Sequence, residues 1–507
     1  MGSRRPASAG PTGRAGLTAL AVGAAIAWPA PHASAAPALG ATAQNDRPNV
    51  VVIVTDDQRW DELDGMPIVR GELMAKGITF TNGFVVNPLC CPSRASILTG
   101  EWSHTTGVYR QVPPFGRFEA LRDGSTIATW LDAAGYDTAL VGKYIDGYQH
   151  AALTGYVPPG WDRWVAFAHS SYGDYALTVD GRIERPNEYA TDVLARYAVD
   201  FVRTANGPLF LYFAPPAPHA PATPAPEFAG GAVPAPPAPP PSLDEADVSD
   251  KPAYVRALPR LGAAGTAAAA AFRDEQERTL LSVDRAVGEI LRALDDTGRL
   301  HNTLIVFVSD NGLLLGEHRW TKKEVPYDEA IRIPFVVRFD AAGGPQGIED
   351  DRFALNVDIA PTIAAAAGVP APGAEGSSLL PLVEGEHPSW RTDFLVEHVR
   401  GANPVPTYCA VRSETSLYVR YQTDEEEFYD LAADPFELTN LAGDPADVAA
   451  LEAARKRLAE LCVPPPPGLY GGGGLGIGWS AVLGVALVLV AEAARRRRAG
   501  QPSPSVR

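Results

Sequence analysis

The sequence predicts an α/β protein. A large domain carries a mostly parallel central sheet flanked by helices, and a smaller C-terminal α+β domain carries an antiparallel sheet. Three observations support this. The runs PNVVVIVT (48–55), YDTALVGK (136–143), PLFLYFAP (208–215) and NTLIVFVSD (302–310) are nearly continuous in apolar residues, the pattern of strands buried on both faces of a parallel sheet. Helical patterns lie between them, and strands alternating with helices build such a sheet. After Pro370 the texture changes to short β-rich runs separated by turn residues, as in YCAVRSETSLYVRYQTDEEEFYDL (408–431).

Taken in chain order, the N-terminus has Arg4, Arg5 and Arg14, the apolar run AGLTALAVGAAIAW (15–28) and an A-x-A site at Ala33 and Ala35. This reads as a secretory signal peptide over 1–35, with a retained anchor as the alternative. The large domain is expected over 46–385. Within it, STIATWLDAAG (125–135) is a helix with a Ser125 cap and a Gly135 stop. Between Thr266 and Gly298, residues Leu280, Val283, Val287, Ile290, Leu291 and Leu294 fall on one helical stripe. Pro215 to Pro241 is rich in proline and alanine, which predicts a long extended surface loop. The smaller domain is expected over 386–463 and closes with the amphipathic helix DVAALEAARKRLAELC (447–462). Residues 464–475 then form a Pro/Gly linker.

Residues 476–494 have the length and apolarity of a membrane span. Arg495 to Arg498 open a basic tail, 495–507, that the positive-inside rule places in the cytoplasm. The expectation is an exported catalytic domain held at the cell surface by one C-terminal transmembrane helix; a buried C-terminal helix is the alternative. The net charge of -17 argues against nucleic acid as a partner. Of the four cysteines, Cys409 and Cys462 both fall in the C-terminal region, where they can pair. Cys90 and Cys91 are adjacent, and adjacent cysteines rarely bond to each other.

In open α/β sheets, ligands bind beyond the carboxyl ends of the strands. The predicted strands deliver Asp56 and Asp57, Lys143, His219, and Asp310 and Asn311 to that edge. The Asp and Asn side chains form an all-oxygen set of the kind that hard cations, Ca²⁺ or Mg²⁺, prefer. Taken singly, each has a plainer reading: a helix cap for the Asp pair, a solvated lysine, a loop histidine. Pro92 suits the first turn of a helix running to Gly100. Cys90 then lies just ahead of a helix N-terminus, where backbone N–H groups favour anions, and Arg94 lies one turn away.

These residues resemble the sulfatase family. CCPSRASILTG (90–100) matches the family signature C-x-P-S-R-x-x-x-L-T-G, with Cys90 at the signature cysteine and Cys91 at a free position. The likeness extends through RPNVVVIVTDDQ, GKY, PPGWDRW, APPAPHAP, TLLSVDRAVGEIL, VSDNG, GEHR, IRIPFVVR and FYDLAADPFELTNLA, and is nearest the N-acetylglucosamine-6-sulfatase group. The resemblance implies an alkaline-phosphatase-like fold and oxidation of Cys90 to formylglycine by a dedicated formylglycine-generating enzyme. The hydrated aldehyde has two hydroxyls; one attacks sulfur and displaces the alcohol, and deprotonation of the other expels sulfate. It further implies that Asp56, Asp57, Asp310 and Asn311, with modified Cys90, hold Ca²⁺ in preference to Mg²⁺. By the same resemblance Arg94 holds the formylglycine, Lys143 and Lys323 bind sulfate oxygens, and His219 acts near the leaving oxygen. Many sulfatases read GKWHLG where this chain reads GKYIDG, so the family histidine is replaced by Ile145. His318 in GEHR is a candidate to sit close by. The expected substrate is a sulfated carbohydrate or aryl sulfate. The alternatives are a phosphonate monoester hydrolase or phosphodiesterase of the same fold, and a surface glycan-binding pseudoenzyme.

Overall fold

Every residue of the VVVIVT run is buried in the strand β1 (Asn49–Thr55). Val50, Val52 and Val54 face one hydrophobic cluster, and Val51 and Ile53 face the other, because successive side chains on a strand point to opposite faces. A strand covered on both sides explains why this run has apolar residues throughout instead of alternating with polar ones. The computed structural model describes residues 47–235 and 238–470. The expected signal peptide, membrane segment and basic tail lie outside the described residues. Among the described residues, no helix is long and apolar enough to cross a membrane.

The large sheet is built from β1, β2 (Ile78–Phe80), β4 (Asp137–Gly142), β5 (Arg163–His169), β6 (Ala176–Val179), β7 (Arg182–Glu184), β8 (Leu209–Ala214), β9 (Thr303–Ser309), β10 (Phe335–Arg338) and β11 (Ile348–Asp350). Its order is β11-β2-β10-β9-β1-β8-β4-β5-β6-β7. The centre, β9-β1-β8-β4-β5, is parallel throughout. Antiparallel pairs occur only toward the edges, at β9/β10, β10/β2, β5/β6 and β6/β7. A short pair, β3 (Gly83–Phe84) with β12 (Ala354–Leu355), lies apart from it.

One face of the sheet carries α1 (Cys90–Thr99), whose residues are all buried. The other carries α2 (Ala190–Thr204) and α3 (Gly262–Asp296), which pack on each other. On α3 the predicted stripe is the buried one: Leu280, Val283, Val287, Ile290, Leu291 and Leu294 join the cluster of Val51, Ile53, Ile305 and Phe307. Burying a side chain of this size contributes about 1.5–3 kcal/mol. The helix expected after Ser125 spans Ile127–Asp132, and its capping residue is Thr126, bonded reciprocally with Thr129. Ser125 Oγ instead accepts from Trp130 Nε1 at 3.1 Å. The described part of the 215–241 loop forms no helix or strand, as expected, but it is not wholly superficial: Ala217, Ala222 and Ala225 are buried.

The C-terminal sheet is antiparallel, in the order β13 (Asp393–His398), β14 (Tyr408–Ser413), β15 (Ser416–Tyr421) and β16 (Glu426–Asp430). Leu395, Cys409, Val411, Tyr418 and Phe428 face α4 (Val448–Leu461). Cys409 and Cys462 form the disulfide that ties α4 to β14. Phe394, Val396, Ala410, Leu417 and Val419 turn the other way, into the same core as the large sheet. At that junction Glu427 accepts hydrogen bonds from the hydroxyls of Tyr327, Tyr421 and Tyr429, each at 2.7 Å.

Candidate active site

Parallel register brings the site together. Thr55 lies opposite Ser309, so Asp56 and Asp57 leave β1 beside Asp310 and Asn311 leaving β9. Asp57 N–H donates to Asp310 Oδ1 at 3.2 Å, and Asp57 takes a positive φ of 68°, a backbone region that Asp tolerates better than most residues. On the other side of β8, Gly142 lies opposite Ala214. A Cβ on Gly142 would sit 2.0 Å from the Ala214 carbonyl oxygen, so this position requires glycine. The next residue, Lys143, donates its N–H to that carbonyl at 2.7 Å. The loop after β8 turns back, with Asp56 N–H donating to Ala217 O at 3.1 Å, and this fold places His219. Cys90 is the first residue of α1, one position further into the helix than its sequence suggests.

The side chains of Cys90, Asp56, Asp57, Arg94, Lys143, His219, Asp310, Asn311 and Lys323 converge. Cys90 Sγ accepts from Lys323 Nζ at 2.8 Å and lies 3.4 Å from Asp56 Oδ1. Lys143 Nζ is 2.5 Å from Asp56 Oδ2, and Lys323 also pairs with Asp57. Arg94 donates from Nε to Asp310 Oδ2 at 2.7 Å and from Nη1 to the Lys143 carbonyl at 2.9 Å. Asn311 Nδ2 donates to Asp57 Oδ1 at 2.6 Å. His219 is the exposed member, 40 % accessible, with Nε2 3.7 Å from Asp57 Oδ2 and Nδ1 2.7 Å from the Ala220 carbonyl oxygen.

Charge is concentrated here. Ligand atoms of Asp56, Asp57, Cys90 and Asp310 lie within 4.8 Å of one another, and Asn311 Oδ1 is buried without a hydrogen-bond partner. Three carboxylates and an orphaned amide oxygen fit a hard, oxygen-preferring cation. Burial opposes the charge on Asp56, but Lys143, His219, Arg94 and Lys323 outweigh it and hold its carboxyl well below the usual range. Asp310 goes the other way, pushed up by burial and by Asp56. Burial also opposes the ammonium charges, yet Asp56 beside Lys143 and Asp57 beside Lys323 keep both cationic far above neutral pH. Burial, Asp310 and Asp56 push the Cys90 thiol well above its ordinary value.

Other residues have different places from those the sequence implied, or were not foreseen. Ile145 is 2 % exposed and packs in the core. His318 does not stand in for the missing histidine: its Nδ1 is 2.7 Å from Glu245 Oε2 and its ring lies against Tyr327, in a separate buried cluster. Cys91 is also in the core, with Sγ 3.9 Å from the Asp146 carbonyl oxygen. Two supporting contacts were not legible: Ser309 Oγ accepts from Gln58 N–H at 2.9 Å, and Thr55 Oγ1 donates to Gln58 Oε1 at 2.8 Å. Tyr212, buried among Arg94, Asp310, Asp56 and Lys143, was also missed. Its only sequence signal is a hydroxyl inside the apolar run LFLYFA.

Comparison with known proteins agrees with this geometry. The family profile described as Sulfatase matches residues 48–369, and the profile described as N-sulphoglucosamine sulphohydrolase, C-terminal, matches 316–463. N-acetylglucosamine-6-sulfatase of Homo sapiens is 32 % identical over 464 residues, covering 80 % of this chain and 82 % of that protein. N-acetylglucosamine-6-O-sulfatase of Bacteroides thetaiotaomicron is 28 % identical over 479 residues, covering 79 % and 83 %. An extracellular sulfatase homolog of Drosophila melanogaster is 30 % identical over 70 % of this chain, but the match spans only 33 % of that longer protein. A putative extracellular sulfatase homolog of Caenorhabditis elegans is matched over 53 % of its length. A structure solved in complex with its substrate D-glucosamine-2-N,6-O-disulfate superposes with a TM-score of 0.66 at 25 % identity, covering 82 % of this chain and 97 % of that one. A phosphonate monoester hydrolase of Agrobacterium radiobacter shares the fold, with a TM-score of 0.65 at 22 % identity. With a family match across most of the described residues and the signature cysteine seated among the conjunction of carboxylates and lysines described above, the chain belongs to the sulfatase family.

Proposed function

We propose that the protein hydrolyses sulfate esters of sugars, using a formylglycine nucleophile made from Cys90 and a calcium ion held by Asp56, Asp57, Asp310 and Asn311. The observation that carries this reading is the seat of Cys90, within reach of both Lys323 and the carboxylate cluster. A calcium ion held by Asp56, Asp57, Asp310 and Asn311 would supply positive charge to the site. Lys143 and Lys323 bind sulfate oxygens, Arg94 fixes residue 90 through its place between Asp310 and the Lys143 carbonyl, and His219, on the open side, protonates the leaving oxygen. Removing one preorganised group of this kind costs ~3 kcal/mol, about a hundredfold in rate.

The sugar class is supported by the relatives, two of which are named for N-acetylglucosamine 6-sulfate chemistry, and by the neighbour solved with a sulfated glucosamine. A formylglycine-generating enzyme is the maturation partner this reading requires. The deciding experiment offers one preparation 6-O-sulfated N-acetylglucosamine, an aryl sulfate and an aryl phosphodiester. Faster turnover of the sulfates is expected. A clear preference for the phosphodiester would replace this reading with the phosphodiesterase alternative, and no turnover with Cys90 unmodified in the mature protein would favour a pseudoenzyme.

We also propose that the chain is exported and held at the cell surface by residues 476–494. The apolar segment and the following arginines support this. Truncation after Tyr470 should release active enzyme into the medium; retention of the truncated protein in the membrane fraction would refute the anchor.

A further inference from the structure

A second group of potential metal ligands lies apart from Cys90. Ligand atoms of His318, Glu329 and Glu437 lie within 4.8 Å of one another, and all three residues are buried. His318 Nδ1 is 2.7 Å from Glu245 Oε2. With that nitrogen carrying the proton, Nε2 presents its lone pair to the cluster, 4.0 Å from Glu437 Oε2. A carboxylate behind a histidine fixes the tautomer and orientation of metal-ligating imidazoles in this way. Nε2 of the fully buried His318 has no hydrogen-bond partner, nor have Glu329 Oε2 and Glu437 Oε1.

The basic side chains around the cluster are engaged elsewhere. Arg59 pairs with Glu317 at 3.0 Å, Arg412 with Asp328 at 2.9 Å, and Lys251 donates to the Glu437 and Leu438 carbonyls and lies 3.8 Å from Glu245 Oε1. Among the described residues, neither Glu329 nor Glu437 has a Lys or Arg ion-pair partner. Two unpaired carboxylates in such a place need a cation or a proton.

We propose that His318, Glu329 and Glu437 form a second, structural divalent-cation site suited to Zn²⁺. One imidazole nitrogen and two carboxylates match zinc, whereas Ca²⁺ takes oxygen ligands only. Glu329 also lines a cavity of about 640 Å³, together with Trp60, Arg332 and Phe436. The ligands come from the GEHR turn, the short helix Asp328–Ile331 and the segment after β16, so the ion would pin the C-terminal part of the chain to the large domain.

The test uses the full chain carrying Cys90→Ala, so that no thiol in the active site competes for zinc. The protein is stripped with chelator and dialysed against micromolar Zn²⁺ with millimolar Ca²⁺, and its bound metal is counted. One equivalent of zinc is expected, with a rise in Tm on adding zinc. His318→Gln and Glu437→Gln, added singly to that background, should lose both the zinc and the Tm rise while keeping calcium. X-ray absorption of the zinc-loaded parent should show nitrogen and oxygen ligands, including one imidazole, a readout that stands even if the second substitutions unfold the chain. Failure of the stripped parent to take up zinc overturns the proposal and leaves protonated carboxyls as the way the cluster is neutralised. Equal zinc on folded variants and parent also overturns it, since the ion would then sit elsewhere.

Discussion

Cys90 and Cys91 are neighbours in sequence with different surroundings: Cys90 meets Lys323 and Asp56, and Cys91 packs into the apolar core. Cys91→Ala should therefore keep the modification at residue 90 and most of the activity, losing about 1 kcal/mol of stability to the cavity. Cys90→Ala should abolish turnover with the fold intact. Cys90→Ser offers one hydroxyl, which can attack sulfur but has no second hydroxyl with which to expel sulfate; it should stall, at most as a sulfated serine. Peptide mass spectrometry of the wild type and these variants checks all three, and an aldehyde at position 91 or full turnover by Cys90→Ser would overturn the assignment. Asp310→Ala removes a proposed calcium ligand and the carboxylate that holds Arg94 Nε. It should lose bound calcium and at least about a hundredfold in rate together, read by metal analysis beside kinetics; full activity in strong chelator with no metal detectable would exclude the calcium site.

At the level of elements, α3 contributes a stripe and the disulfide contributes a constraint. Leu280 is fully buried against the sheet, so Leu280→Ala should destabilise the protein by about 2–5 kcal/mol, visible as an earlier denaturant midpoint with little change in KM. The Cys409–Cys462 bond closes a loop with a sequence separation of 53, for which chain entropy predicts a contribution of about 4 kcal/mol, with typical values of about 2–4. Replacing both cysteines by alanine should lower stability by that amount, and reducing agent should have no further effect on the double variant. α3 was legible in the sequence because a 3.6-residue stripe is a local property. The Thr126 cap was not, because Ser125 and Thr126 are both capping residue types and the choice depends on where Trp130 Nε1 finds its acceptor.

Over the whole molecule, the C-terminal sheet is an extension of the main core. Phe394 lies 5.0 Å from Phe84 and 5.2 Å from Phe353 between ring centroids, and Glu427 binds Tyr327 from the large domain. A chain ended near residue 385 should therefore be insoluble or molten, because it would expose that apolar face and leave Tyr327 unpaired in the core. The readout is solubility and near-UV circular dichroism; a folded, soluble 46–385 fragment would show that the two parts are independent.

The strand interiors, the α3 stripe, the parallel class of the sheet and the signature that singles out Cys90 from Cys91 were all legible in the sequence. These are matters of periodicity and local spelling, which the chain carries without reference to distant residues. It also marked Asp56, Asp57, Lys143, His219, Asp310 and Asn311 as strand-end residues, because a parallel sheet collects its carboxyl ends on one edge. Which of them touch is set by the packing of the folded chain. The Thr55–Ser309 and Gly142–Ala214 registers set the carboxylates beside one another and beside Lys143, and those registers depend on the packing of elements up to hundreds of residues apart. The same dependence put His318 with Glu245 and Glu437 instead of beside Cys90: a turn such as GEHR has no period to read, and the partners of its side chains are set by whichever segments fold over it.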